Sequence, residues 1–136
     1  MKLLPSPSAT LANCVWLPRI LAKARLTVAE RLPEDYAARF GHPGGVDGQF
    51  LSFFDLEKTN ITAICHLNDE AVAAWFLNLE SVTENRIAEW NHIAHNLGRP
   101  GFPMADRLPV ALATSYSHLA GRNLTTVFEI LDADEG

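Results

Sequence analysis

Two cysteines are too few for a disulfide framework, and two thiols alone cannot enclose a zinc ion. Cys14 and Cys65 are therefore expected as free, buried thiols, the usual state in a reducing compartment. Long apolar runs are missing as well. No stretch approaches the roughly 20 residues that a membrane-spanning helix needs. Basic residues are in deficit, with 11 Lys and Arg against 16 Asp and Glu and a net charge of −5. That balance argues against broad nucleic-acid binding, where a basic surface supplies most of the affinity. Repeats, low-complexity tracts and interdomain linkers are absent too, and 136 residues fit one domain that can bury a core without staples.

Leu11-Ala12-Asn13-Cys14 has the outline of a lipoprotein cleavage site. Asn13 is too large and polar for the position before the cysteine, and Pro5, Ser6, Pro7 and Ser8 interrupt the apolar run such a signal requires. A cytoplasmic location with no membrane association is the expectation.

What is present is helical patterning. Leu17, Leu21, Ala24 and Val28 recur at helical spacing, with Ile20 and Leu32 widening the stripe, so a helix is expected over 17–32. Pro18 belongs in its first turn, where a missing N–H costs nothing. Residues 1–9 read as an extended arm. Further helices are expected over 34–40 and 49–54, the latter capped by Asp47, and from Asp55 or Thr59 to near His66. Asn68 caps 69–79, and Ser81-Val-Thr-Glu84 matches a capping box before a helix over 83–97 that Gly98 closes. A helix over 104–120, kinked or restarted at Pro109, and a short one capped by Asn123 or Thr125 complete the chain. No alternating strand pattern stands out. The fold class is all-α, a compact single-domain bundle of about six helices, several of them short.

Charge is unevenly spread. Residues 1–31 hold Lys2, Arg19, Lys23, Arg25 and Arg31 against Glu30 alone, a local +4, so the remainder holds −9 of the net −5. At about 100° per residue, Arg19 and Lys23 fall opposite the apolar stripe of the first helix and Arg25 on its flank. These cations are therefore expected on the wet face. Two readings stay open: ordinary pairing with Asp47 or the acidic C-terminal end, or an anion site in which Arg19, Lys23, Arg25 and Tyr36 share a carboxylate or phosphate while Asp47 holds the arginines.

Other constellations are weaker. Glu89, His92 and His95 have a spacing that metal ligands use, but Ile87, Trp90, Ala94 and Leu97 form the buried stripe of that helix and leave both histidines on the opposite side. No metal site and no cofactor are expected. The loop 41–48 lacks the Lys-Ser/Thr pair of a phosphate loop and contains Asp47, which repels anions. Ser115, Ser117 and Cys65 have His66 or His118 near them in sequence, yet neighbours in sequence on a helix do not face one another. Trp16, Trp75 and Trp90 sit on or beside apolar stripes and read as core.

The segments LPSPSATLANCVWLPRILAKARL, GVDGQFLSFFDL, NDEAVAAWF and ILDADEG resemble a small bacterial family catalogued as a domain of unknown function, number 5069. The similarity runs from Leu4 to Gly136, and Leu17-Pro18-Arg19, Lys23-Ala24-Arg25 and Asp47-Gly48 are its most characteristic pieces. The resemblance implies a stand-alone bacterial protein of one domain and brings no activity or catalytic residue with it. Two functional expectations follow from the residues. One is a cytoplasmic helical binding or interaction module with an unknown protein partner, in which a homodimer is open. The other is an enzyme or small-ligand receptor that takes an anionic small molecule through Arg19, Lys23, Arg25, Tyr36 and Asp47.

Overall fold

The computed structural model describes residues 3–136. The chain begins with a hairpin of two very short antiparallel strands, β1 (Thr10–Leu11) and β2 (Cys14–Val15). Ala12 and Asn13 both take positive φ, 54° and 62°, as a two-residue hairpin turn requires. Two residues per strand are too few to show alternation, which is why the sequence pattern hides them. The hairpin pins the chain to a distant helix. The Val15 N–H donates to Asn91 Oδ1 at 3.0 Å, and Trp90 Nε1–H donates to the Val15 carbonyl at 3.0 Å. Of the expected N-terminal arm, residues 1 and 2 lie outside the described residues; Leu4 and Pro7 are buried against the body rather than extended away from it.

Eight α-helices follow among the described residues, so the architecture is mainly helical and compact. Helix α1 (Leu17–Val28) carries Pro18 in its first turn, as expected. It stops four residues before Leu32. Glu30 takes φ 58° while the Arg31 N–H reaches the Leu26 carbonyl at 2.8 Å and the Glu30 N–H reaches Thr27, a left-handed stop made without glycine. Next come α2 (Glu34–Ala37), α3 (Val46–Phe53) and α4 (Lys58–Ile64). Helix α3 ends by the same device, with Asp55 at φ 54° and the Leu56 N–H bonded to Leu51 at 2.8 Å. Asp55 therefore closes one helix rather than opening another, and a reciprocal capping box between Glu57 and Asn60 starts α4.

Helix α5 (Asp69–Leu77) begins at the expected cap, where Asn68 Oδ1 accepts from the Ala71 N–H at 2.8 Å. Helix α6 (Glu84–His95) is capped by Thr83, not Ser81; the Ser81 hydroxyl instead donates to the Phe54 carbonyl at 2.6 Å. Gly98 has φ 96°, the left-handed conformation expected after α6. Helix α7 (Arg107–Ala113) is much shorter than the expected 104–120; Pro109 lies in its first turn, and a 3-10 turn over Ser117–Leu119 follows after a break. Helix α8 (Val127–Glu135) is capped by Thr126, whose hydroxyl accepts from the Glu129 N–H at 3.2 Å, and it runs through most of the acidic tail.

An aromatic cluster joins α3, α5 and α6. The Phe50 ring lies 5.5 Å from Trp90, and Phe54 lies 5.2 Å from Phe76, both edge to face. Such pairs add to the large area that each ring buries. Trp90 and Trp16 are buried and Trp75 is half-buried against the same core. Cys14 and Cys65 are free and buried. Burial pushes the Cys14 thiol up to about 12, since a thiolate there would have no solvation.

Candidate functional site

The expectation that Arg19 and Lys23 face water fails. Arg19 is 1 % exposed and Lys23 4 %. The helical wheel places them opposite the stripe of Leu17, Leu21 and Ala24 correctly, but α1 is covered on that side also, by the chain before β1, the 36–47 segment and α8. Burying a cation requires a partner, and each finds one far along the chain. Arg19 forks onto Glu135 with contacts of 2.8 and 2.5 Å, and its Nη1 also donates to the Pro5 carbonyl at 3.0 Å. Its Nε–H is buried without an acceptor, while the guanidinium lies 5.3 Å from the centre of the Trp16 ring.

Lys23 Nζ lies 3.1 and 3.2 Å from the two oxygens of Asp47. Asp47 is itself 1 % exposed, sits inside the first turn of α3, and does not cap that helix; Gly45 occupies the cap position. Its carboxylate turns inward and accepts from Trp16 Nε1–H at 2.7 Å and from the Gly41 N–H at 2.9 Å. It therefore holds Lys23 and Trp16 and neither of the arginines assigned to it from sequence. Burial lowers the pKa of Lys23; Asp47 partly offsets this, and the charges of Arg19 and Arg39 add to the lowering.

Gly48 makes this placement possible. A Cβ there would lie 2.5 Å from the His42 carbonyl oxygen and from Pro43 Cα, so the loop 41–45 can fold against α3 only over a glycine. That loop becomes a wall rather than a phosphate cradle.

Between these elements lies a cavity of about 320 Å³. Trp16, Arg19 and Lys23 form its α1 side, with Asp47 beside them. Leu108 and Ala111 of α7 and Val127, Ile130 and Leu131 of α8 give it mostly apolar walls. Tyr36 lines it, half-buried, and burial together with the Glu135 carboxylate pushes its phenol pKa up. Arg25 does not belong to the cavity. Its guanidinium brackets two other helices, donating to the Cys65 and Leu67 carbonyls at 3.0 and 2.7 Å and to Asp69 at 2.8 Å.

Two cavity cations escaped the sequence reading. Arg39 donates to the Tyr116 hydroxyl at 2.7 Å, and Arg107 donates to the Gly44 carbonyl. Neither forms an ion pair among the described residues. Four cations line the cavity; Asp47, also on the lining, and Glu135, which lies off it and pairs with Arg19, offset two of them, leaving a local +2 in a protein whose net charge is −5. No local signal marks these arginines, because the segment 36–45 and α7 come to line one cavity only in the folded chain.

The remaining candidates stay apart. His92 and His95 are exposed and lie against Phe102 and Phe128 at 5.6 and 5.5 Å. No group of three His, Cys, Asp or Glu side chains among the described residues is gathered closely enough to hold a metal ion. Ser115, Ser117 and His66 are exposed; the Cys65 thiol donates to the Thr62 carbonyl, and His118 pairs with Asp134 at 2.8 Å. No helix among the described residues is long and apolar enough to cross a membrane.

Fold and site together define a mainly helical protein with a small cation-rimmed, apolar-walled cavity between its first helix and its C-terminal third. The family model described as "Domain of unknown function (DUF5069)" matches residues 1–136, and the chain belongs to that family. No curated protein and no solved structure matches it.

Proposed function

We propose that the protein binds a small organic anion in this cavity, the acidic group lying against Arg39 and Arg107 and an apolar body against α7 and α8. The observation that supports this most is the pair of cations on the lining that lack carboxylate partners, set beside mostly apolar walls. Ligand sites of a few hundred Å³ commonly combine apolar walls with a few placed polar groups. Arginine suits a carboxylate because its planar fork can make two parallel hydrogen bonds. The cations first singled out on α1 play a different part in this reading. Arg19 and Lys23 are already neutralised and shape the inner wall, whereas Arg25 has no part in it.

The interaction-module reading has less behind it. The wide apolar helix faces close on one another, and the large apolar side chains left exposed, Leu3, Val28, Leu77 and Val110, come from four separate segments.

Thermal unfolding in the presence of matched ligands tests the proposal. Phenyllactate should raise the melting temperature, and its neutral primary amide should not, because a ligand held only by the folded state stabilises it. Arg39→Gln combined with Arg107→Gln should remove the rise. Equal effects of acid and amide, or no effect of either, would contradict it.

A further inference from the structure

We infer that Lys23 is a carbonyl-capturing amine, whose Nζ forms a reversible imine with a 2-oxo acid bearing an apolar side chain, bound in the cavity beside α1. This rests on the proposed binding of an organic anion in that cavity and specifies its chemistry.

Placement comes first. Lys23 lines the cavity yet is only 4 % exposed, so a carbonyl bound there meets the amine away from bulk water. Donor accounting comes second. An ammonium has three N–H groups, and its hydrogen-bond acceptors among the described residues are the two oxygens of Asp47, with the Trp16 ring centre 5.2 Å from Nζ, which leaves one N–H without a hydrogen-bond acceptor from the chain. A fixed base is third. Asp47 is clamped by Trp16 Nε1–H and the Gly41 N–H, so its oxygens stay 3.1 and 3.2 Å from Nζ and can take a proton from it and return one. Burial and the flanking arginines also favour the neutral, nucleophilic amine, as desolvation and neighbouring cations do for other reactive lysines. A 2-oxo acid carries its carbonyl beside a carboxylate, so one ligand would address both Lys23 and the arginines Arg39 and Arg107 that line the same cavity.

The step balances without any further reagent. Asp47 takes one proton from the ammonium, and the Nζ lone pair forms a bond to the carbonyl carbon as the C=O π pair moves onto oxygen. A proton passes from nitrogen to that oxygen. Asp47 then returns its proton to the hydroxyl, the C–O bond breaks, and water leaves. The product is a protonated imine on Lys23, carrying the same single positive charge as the starting ammonium. Arg39 and Arg107 hold the carboxylate throughout.

Borohydride trapping tests this on the full chain. The protein is incubated with phenylpyruvate, reduced, and examined by intact mass and peptide mapping. The sequence contains three lysines, Lys2, Lys23 and Lys58, so the other two and the N-terminal amine serve as internal controls. The expected result is a single reduced adduct on Lys23, lost when an excess of phenyllactate competes, and absent in Lys23→Met. Should Lys23→Met fail to fold, mapping on the unaltered chain still decides. No adduct, or adducts spread over Lys58 and the N-terminus, would overturn the inference. If phenyllactate still raises the melting temperature in that case, the imine alone has failed; if it does not, anion binding has failed with it.

Discussion

Asp47→Asn puts the electrostatics of the buried site to a quantitative test. The change keeps the side chain's shape and removes its charge, leaving Lys23, 4 % exposed, without a counter-ion at 3.1 Å. Breaking a buried pair by removing one partner costs about 3–5 kcal/mol. For a chain of this length that is a fall of roughly 10–18 °C in melting temperature. Asparagine also offers one acceptor oxygen where two were used, so either Trp16 Nε1–H or the Gly41 N–H loses its partner. The cost should depend on pH. The pKa of Lys23 is already lowered in the folded protein, and losing Asp47 lowers it further. Below that folded pKa the lysine is charged in both states and the full penalty applies. Between that value and the parent's own folded pKa, itself below the ordinary 10.5, the folded variant has shed a proton that the folded parent keeps, so the variant regains stability relative to the parent. Urea unfolding of parent and variant from neutral pH to about pH 10 should therefore show a difference that shrinks with pH. Replacing the pair together, Lys23→Met with Asp47→Leu, should recover most of the loss, since an apolar pair of similar volume has no charge to bury. A single-variant cost below about 1 kcal/mol, or one that does not change with pH, would refute the reasoning.

Two further outcomes follow from the same geometry. Gly48→Ala should cost about 1–3 kcal/mol by denaturant midpoint, because the new methyl group meets backbone atoms of His42 and Pro43 at 2.5 Å and these have little room to move; a neutral effect would mean that the loop 41–45 does not pack as described. The Cys14 thiol, held near 12 against an ordinary 9.0, makes a contribution that is complete below pH 9.0 and is lost as pH rises towards 12, about 4 kcal/mol over the full range. Cys14→Ala should flatten the alkaline limb of the stability profile, and an unchanged limb would show that the thiol titrates freely.

The start of α5 was legible in the sequence, whereas the caps expected at Asp47, Ser81 and Asn123 or Thr125 fall instead to Gly45, Thr83 and Thr126. Asn68 marks its helix by the one-residue logic of a side chain that caps a free N–H, and the structure places the start at Asp69. Helix ends were less visible. Glu30 and Asp55 adopt left-handed stops that glycine would have announced and that charged residues do not. The hairpin was hidden for a similar reason, since Ala12-Asn13 is not the usual composition of a two-residue turn. The site was legible only in part. A helical wheel gives the direction in which Arg19 and Lys23 point, but not what covers them, and their carboxylate partners lie 116 and 24 residues away. Asp47 shows the same limit. Its sequence position suits a cap, yet its carboxylate is drawn inward by a lysine and an indole that only tertiary contact supplies.

Binding of an organic anion beside Trp16 can be read from the protein's own indoles. Trp16 lines the cavity, with its Nε1–H on Asp47, while Trp90 is buried in the aromatic cluster with its Nε1–H on Val15, and Trp75 lies on α5. Titrating ¹⁵N-labelled protein with phenyllactate and following the three indole N–H signals separates the site from the rest of the fold. The account predicts a saturable shift of the Trp16 signal, with Trp75 and Trp90 nearly stationary, and loss of that shift in the Arg39→Gln, Arg107→Gln protein. A Trp16 signal that does not move, or three signals that move together, would contradict it.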